Sequence, residues 1–465
     1  MNAFTDVIAA VSTPPGKGGV AVIRMSGEGA LVIADKVFSA KNGSSLSSAA
    51  PRRQIYGYIK DKSTVIDDVM ACRFSAPASY TGEDTVEIYC HGGMLVTRTV
   101  LELLFRHGAR PAEAGEFTKR AFINGKLTLT DAELIGKLLE AKSSDELALS
   151  SASARERLNL RTEQIKAGIT DIMSSIYARI DYPDEDLGDY SDAELLQKLK
   201  EISDSLSTLI STYRTGRAIS EGISAVLCGK PNVGKSSVYN AILGKDAAIV
   251  TSLAGTTRDV LESTVTLGRV ALKLRDTAGI RDNGEYDEIE KIGIERSIES
   301  INSAELIFAV FDISEPLTLE DIEIIEKLKQ SSAAKIAILN KTDISPSYTE
   351  KDFPYLKLFD AAELVSAKNS DELYKKLSAT VNRLMTDEKI NVSDTAIVSS
   401  ARQHAQLTRT QDYIELAISG LSGGFSQDAV SSDIERALGA ISEHDSREVS
   451  EAVVADIFSK FCVGK

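Results

Sequence analysis

The sequence has few of the residues that build covalent or metal-held scaffolds. Its four cysteines, Cys72, Cys90, Cys228 and Cys462, are scattered, with no CxxC pair and no Cys/His cluster. That argues against a disulfide framework and against a structural zinc. Histidine is equally scarce, at 4 residues, so a multi-histidine metal centre is not expected. No apolar run approaches the roughly 20 residues that cross a bilayer, and the amino terminus lacks the basic-then-apolar order of a secretion signal. The expectation is a cytoplasmic protein with no membrane partner. Positive charge is in deficit: 53 Lys and Arg against 68 Asp and Glu leave a net charge of −15. Nucleic acid is therefore not bound by bulk charge, and contact with it needs a local basic patch or a basic partner. Internal repeats and long low-complexity segments are also missing.

What is present is ordinary for a soluble globular chain, with 43% hydrophobic and 26% charged residues. At 465 residues it is too long for one core. Three textures follow one another. Residues 1–121 read as mixed α/β, with strand-like runs "GGVAVIRMSG", "DDVMACRFS" and "DTVEIYCHGG" and a helix-like "TRTVLELLFRHG" closed by glycine. Residues 122–218 carry long amphipathic helical patterns, interrupted near Pro183. Residues 219–381 alternate strand, loop and helix, as a doubly wound parallel sheet does. Residues 382–465 are helical again. An α/β unit flanked by helices on both sides reads as a domain inserted into a helical one, which is tolerated where a domain's termini lie close together.

"ISAVLCGKPNVGKSSVYNAIL" is the strongest motif. Gly229 to Ser236 fits GxxxxGK[ST] between an apolar strand and an apolar-periodic helix, the context the motif requires. In Asn232, Val233, Gly234, Lys235, Ser236 and Ser237, backbone N–H groups can face phosphate oxygens at a helix amino terminus. Lys235 can neutralise β/γ charge, and the Ser236 hydroxyl can ligate Mg2+. Four later stretches agree. "TSLAGTTRD" (Thr251, Ser252, Leu253, Ala254, Gly255, Thr256, Thr257) offers Thr257 as a second Mg2+ hydroxyl. "DTAG" (Asp276, Thr277, Ala278, Gly279) ends an apolar strand, where Asp276 can hold the metal's water shell and the Gly279 N–H can sense the γ-phosphate. "NKTD" supplies Asn340, Lys341 and Asp343, whose carboxylate can accept from the guanine N1 and N2 hydrogens. "SAK" (Ser366, Ala367, Lys368) completes the base pocket. Five motifs in this order name a guanine-nucleotide domain, with GTP as the nucleotide.

After "DTAG" stands Ile280, where Ras-like proteins place a glutamine that orients the attacking water. An aliphatic side chain cannot do this, so hydrolysis recruits another group. Arg258, Arg275, Arg281 and the acidic run Asp282, Glu285, Asp287, Glu288 and Glu290 are candidates, and a solvated loop is the bland alternative. The Asn232 oxygen can help ligate a monovalent cation near the phosphates, doing the electrostatic work of an arginine finger, or simply stabilise its loop. At the other end, "FCVGK" places Cys462 fourth from last, as in a lipidation box, but Lys465 is not the small or apolar residue such a box ends on.

The flanks add "TPPGKGGVAVIRMSG", "APASYTGEDTVEIYCHGG", "RPAEAGEFTKRAFINGKLTLTDAE" and the closing "FCVGK". Together with an inserted GTPase, these resemble the MnmE (TrmE) family of tRNA modification GTPases from residue 3 to 465. The resemblance implies an α/β folate-binding-like domain, followed by a helical domain interrupted by a Ras-like P-loop GTPase domain. By this resemblance, 1–121 is a one-carbon and dimerisation domain, 122–218 and 382–465 are two parts of the helical domain, and 219–381 is the GTPase domain. It implies a homodimer that works with the flavoprotein MnmG as a heterotetramer. Together they install an aminomethyl or carboxymethylaminomethyl group at C5 of the wobble uridine of certain tRNAs, with GTP, Mg2+, K+ and 5-formyltetrahydrofolate or a related one-carbon folate. Carried over by residue, Asn232, Thr251, Leu253 and Thr256 match K+ ligands, and Ser236 and Thr257 match Mg2+ ligands. Glu290 matches the glutamate that orients the attacking water. Arg24, Glu83, Lys126 and Lys465 match folate contacts, and Cys462 is either a chemical participant or a packed thiol. Each folate position has a bland rival: a strand-end ion pair, a turn or cap residue, a solvated lysine. His91 reads as structural.

A ribosome-assembly switch of Era or Der type is the alternative from another class. Der-like proteins carry two P-loops and this chain has one; Era-like proteins follow their GTPase domain with a basic RNA-binding module, whereas residues 382–465 are helical and acidic. A folate sensor that uses its GTPase only for regulation is a third.

Overall fold

A computed structural model describes residues 6–181, 190–243, 262–276, 301, 303–346, 353–442, 457–459, 461 and 463–464, with backbone alone at 262, 263, 275 and 276. It divides into two compact units, Met1–Leu139 with Ser442–Lys465, and Glu140–Ile441.

The first unit is built on seven strands: β1 (Ile8–Val11), β2 (Gly18–Ser26), β3 (Phe38–Ala40), β4 (Ile55–Asp61), β5 (Thr64–Phe74), β6 (Thr85–Gly92) and β7 (Arg110–Pro111). They form one sheet in the order β3-β4-β5-β6-β2-β1-β7. All pairings are antiparallel except β1 with β7. Successive side chains of a strand point to opposite faces. Ala21, Ile23 and Met25 of β2 therefore turn with Val86, Ile88, Val69 and Ala71 into one core, packed with residues of α1 (Ala30–Val37) and α2 (Met94–Arg106). Each such fully buried aliphatic side chain stabilises the unit by about 1.5–3 kcal/mol. Arg24 and Ser26 alternate onto the opposite face, where Ile8, Ala10, Ala112 and Phe117 form a smaller cluster.

That face is closed by α3 (Glu116–Ile123), α4 (Leu129–Glu140) and the chain's end. Phe122, Leu129 and Ala132 pack with Phe458 and Phe461. The tail continues as a bridge from Val463 to Ala114, and Ser12 Oγ donates to the Gly464 carbonyl at 2.8 Å. Gly464 has φ +100°, and a Cβ there would lie 2.1 Å from the Val11 carbonyl oxygen. Only glycine fits where the end of the chain lies against β1.

In the second unit, α5 (Ser144–Leu149) precedes the long helices α6 (Ala152–Asp181) and α7 (Asp192–Ser211) and the short α8 (Tyr213–Ser220). Ser191 caps α7 in a reciprocal box with Glu194, which satisfies donors that a helix start leaves open. Helical spacing puts Ile165, Ile169, Ile172 and Ile176 on one stripe of α6 and Leu195, Leu199, Ile202, Leu206 and Leu209 on one stripe of α7.

Six strands follow: β8 (Ile223–Cys228), β9 (Glu262–Leu267), β10 (Val270–Asp276), β11 (Leu306–Asp312), β12 (Ala334–Asn340) and β13 (Ala361–Leu364). Their order is β13-β12-β11-β8-β10-β9, parallel except between β9 and β10. The connecting helices are α9 (Lys235–Leu243), α10 (Leu319–Leu328) and α11 (Ser370–Met385). Every residue of β11 is buried, the continuous apolar run of a strand covered on both faces. The last helices, α12 (Ala401–Ser422) and α13 (Gln427–Ser442), return to the stripe of α6 and α7. Where the sheet region leaves and rejoins the helices, the chain is stitched together. The Val398 N–H donates to Thr212 Oγ1 at 3.0 Å and the Asp387 N–H to Thr215 Oγ1 at 2.9 Å.

Candidate functional site

β8 delivers the chain to Gly229, and α9 begins at Lys235. Between them Asn232 takes a left-handed φ of +63°, with its side chain exposed, while Val233 is buried. Gly234 has φ +100°, and a Cβ there would lie 2.3 Å from Asn340 Nδ2. The close approach has a purpose. The Asn340 amide donates to the Val233 carbonyl at 2.8 Å, and its Oδ1 accepts from the Ala367 N–H at 2.9 Å. One side chain, 2% exposed, thus joins the P-loop to "NKTD" and "SAK". Ser236 and Ser237 are exposed on the first turn of α9.

Charge around the loop is held in place. Lys235 Nζ donates to the Gly229 and Lys230 carbonyls at 2.8 and 2.7 Å, where it can swing to phosphate oxygens by exchanging two neutral acceptors for anionic ones. Asp343 accepts from Lys368 Nζ and from Ser366 Oγ, each at 2.7 Å. These two donors, the lysine first, bring its carboxyl down to about 2. It is thus an anion at neutral pH, as acceptance of two N–H groups requires. Lys341, at φ +69°, reaches Asp312 Oδ2 at 2.5 Å. Burial would raise Asp312, but Lys341 and Ser314 outweigh it and hold the carboxyl low.

Sequence reasoning missed Lys230, which is 8% exposed and pairs with Asp321 at 2.9 Å and Glu315 at 2.8 Å. No motif marks those acids; the loop and α10 meet only through the fold. Thr251, Ser252, Leu253, Ala254, Gly255, Thr256, Thr257, Thr277, Ala278, Gly279, Ile280, Glu290, Cys462 and Lys465 lie outside the described residues. Asp276 is described by its backbone, paired with Leu227 at the carboxy end of β10.

A second polar site lies on the first unit's sheet. Arg24 donates from Nε and Nη2 to Glu87 Oε1 at 3.0 and 2.8 Å, and its guanidinium lies 5.4 Å from the Tyr80 ring and 5.7 Å from the Phe117 ring. Tyr89 donates to the other Glu87 oxygen at 2.6 Å; burial, with this acid beside it, pushes the phenol up to about 12. Glu83 accepts from Ser26 Oγ at 2.8 Å and from Arg120 Nη1 at 3.2 Å. Lys126 is exposed, donates to the Pro77 carbonyl at 3.1 Å, and runs its stem past Gly82, where a Cβ would lie 3.3 Å from its Cγ. The structure so brings Lys126 to the residue preceding Glu83. A cavity of about 760 Å3 in the same unit is lined instead by apolar residues such as Val11, Pro14, Val20, Met94 and Val463, and by none of Arg24, Glu83 or Lys126. His91 hooks β6 to β5: its Nδ1 is 2.7 Å from Asp67 Oδ1 and its N–H donates to Oδ2 at 2.8 Å. Cys72, Cys90 and Cys228 are buried free thiols, and burial takes Cys228 up to about 12. Among the described residues no helix is long and apolar enough to cross a membrane.

A profile of the GTP-binding protein TrmE N-terminus matches residues 7–126, and one of the MnmE helical domain matches residues 129–462. A protein of Clostridioides difficile named tRNA modification GTPase MnmE is 36% identical over 461 residues, covering 99% of each chain. One of the same name from Lactiplantibacillus plantarum is 37% identical over 465 residues, covering 99% of this chain and 98% of its own. Among solved structures, Era of Aquifex aeolicus bound to GDP and aluminium fluoride aligns with 42% of this chain and 67% of its own, at 25% identity and a TM-score of 0.26. Relatives matched from end to end, and a helical profile that runs across the inserted nucleotide motifs, give one answer: the chain belongs to the MnmE family of tRNA modification GTPases and is a GTP hydrolase that serves tRNA modification.

Proposed function

We propose that the chain acts as a potassium-activated GTPase which, as a homodimer with the flavoprotein MnmG, installs a (carboxymethyl)aminomethyl group at C5 of wobble uridine in certain tRNAs of the cytoplasm. In this reading residues 1–121 bind the one-carbon donor and dimerise. Residues 122–218 and 382–465 form the helical domain, and residues 219–381 are the GTPase domain. Meeting of two GTPase domains across their nucleotide faces, and hydrolysis that parts them, drive the conformational change.

The observation that carries the reading is the Asn340 clamp, which sets the P-loop and an ionised Asp343 in one frame suited to guanine. Lys235 neutralises β/γ charge. Ser236 on the first turn of α9, with Thr257, would hold Mg2+. The exposed Asn232 on its left-handed turn, with Thr251, Leu253 and Thr256, would hold K+. A cation there replaces the missing glutamine electrostatically, while Glu290 orients the attacking water. In the first unit, Arg24, Glu83, Lys126 and Lys465 hold the folate. Cationic side chains and a carboxylate in this set suit a ligand with an N–H-rich ring and a carboxylate tail. When bound, a formylated reduced folate supplies the one-carbon unit. Cys462 is either a participant in that chemistry or a packed thiol.

Nucleoside mass spectrometry of tRNA from cells lacking the protein tests the proposal. Loss of the C5-modified wobble uridine, restored by the wild-type gene, is expected. An unchanged nucleoside profile overturns it.

A further inference from the structure

The first unit holds a buried hydroxyl and a buried guanidinium that both converge on Glu83. Ser26 and Arg120 are each 0% exposed. Ser26 Oγ donates to Glu83 Oε2 at 2.8 Å and lies 2.7 Å from Thr81 Oγ1. Arg120 Nη1 lies 3.2 Å and 3.3 Å from the two Glu83 oxygens. The Glu83 N–H donates to the same Thr81 hydroxyl at 3.2 Å, so its backbone and carboxylate are tied to one cluster. Arg120 cannot follow a moving partner, because its Nη2 also meets Asp6 Oδ1 at 2.8 Å and Glu116 Oε1 at 3.0 Å. Turning Glu83 away would give up these charge-assisted bonds, leaving Arg120 Nη1 the Asp6 carbonyl at 3.0 Å and Ser26 Oγ the Thr81 hydroxyl.

We infer that Ser26 and Arg120 are positioning residues that hold the Glu83 carboxylate in one orientation for the folate donor. The inference rests on the reading that Glu83 contacts that donor. A carboxylate offers about four acceptor sites, so these donors leave capacity on a side chain that stays 14% exposed. The 2-amino-4-oxopyrimidine ring of a reduced folate presents two adjacent N–H groups, a match for a fixed carboxylate accepting from both. Ser26 and Arg120 touch Glu83, and act on the ligand only through it.

Calorimetric titration of the full-length protein with 5-formyltetrahydrofolate tests this. Ser26→Ala removes one small hydroxyl and is expected to weaken binding about threefold to tenfold. In a Glu83→Ala background the same change is expected to add nothing, because the carboxylate it positions is gone. A merely structural Ser26 would cost the same in both backgrounds. Arg120→Lys, judged only if its melt stays cooperative, is expected to follow the same pattern. Unchanged affinity in Ser26→Ala, or an equal loss with and without Glu83, overturns the inference while leaving the Glu83 contact standing. Full affinity in Glu83→Ala overturns the folate reading of Glu83 itself, and the inference with it.

Discussion

A single side chain, Asn340, does at the nucleotide site what no loop segment does alone: it spends its donor on the P-loop and its acceptor on "SAK". Beside it, Asp343 is kept ionised by Lys368 and Ser366, and in the function proposed above its choice of guanine rests on charge and on two accepted hydrogens. Asp343→Asn turns part of that acceptor edge into a donor. GTP affinity in a fluorescent-nucleotide assay is expected to fall by roughly a hundredfold or more, because a site built to bond a polar edge rejects a mismatched one. Binding of XTP, whose base carries an oxygen at that edge, is expected to rise. At this scale motifs were legible and isolated residues were not. "GKPNVGKS", "NKTD" and "SAK" carry their chemistry in their spacing. Arg120, by contrast, stands next to Lys119 in "FTKRAF", and nothing in the string separates them. Packing alone makes Arg120 fully buried and leaves Lys119 half-exposed.

At the scale of elements, α3 is fastened to the edge of the first sheet by charge. Glu116 on its first turn receives Arg110 Nη2 at 2.6 Å and Arg120 Nη2 at 3.0 Å, and Arg110 Nε reaches Asp6 just before β1 at 2.5 Å. Burial alone would raise Glu116, but the two arginines and the Glu113 N–H hold it below its ordinary 4.5. Asp6 is held below its ordinary 3.8 in the same way, against burial and by Arg110 and Arg120. A depressed folded-state carboxyl contributes stability that is fully present above its unfolded value and is lost as pH falls through the folded one. The melting transition of the first unit is therefore expected to drop as pH falls below the ordinary 4.5 and 3.8 of these carboxyls and on through their lowered values. Glu116→Gln should flatten that acid limb while costing about 3 kcal/mol or more at neutral pH, since it leaves a buried arginine short of an anion; differential scanning calorimetry against pH reads both. In this unit β2, β5, β6 and α2 were visible as apolar runs, whereas β1, β3, β4, β7, α1 and α3 were not singled out. The sheet order was not, because β7 pairs with β1 across about 100 residues, and no local pattern encodes such a partner.

Taken whole, the chain lacks a glutamine after "DTAG" and carries an asparagine in its P-loop, and in the function proposed above a bound cation supplies the charge that speeds hydrolysis. With saturating GTP and Mg2+, turnover in K+ is expected to exceed that in Na+ by on the order of tenfold or more. Equal rates in the two salts would remove the cation role from Asn232. The tail "FCVGK" gains a different meaning at this scale. Val463 bridges Ala114, and Gly464 lies against Val11 at the end of β1 and accepts from Ser12. Phe458 and Phe461 complete a core begun more than three hundred residues earlier at Phe122, Leu129 and Ala132. Domains emerging from the ribosome ordinarily fold in the order they are made. Here the part translated first is closed late: its aromatic wall at Phe122 lacks Phe458 and Phe461 until the nucleotide motifs between them have been made, so synthesis itself ties completion of the first unit to completion of the second.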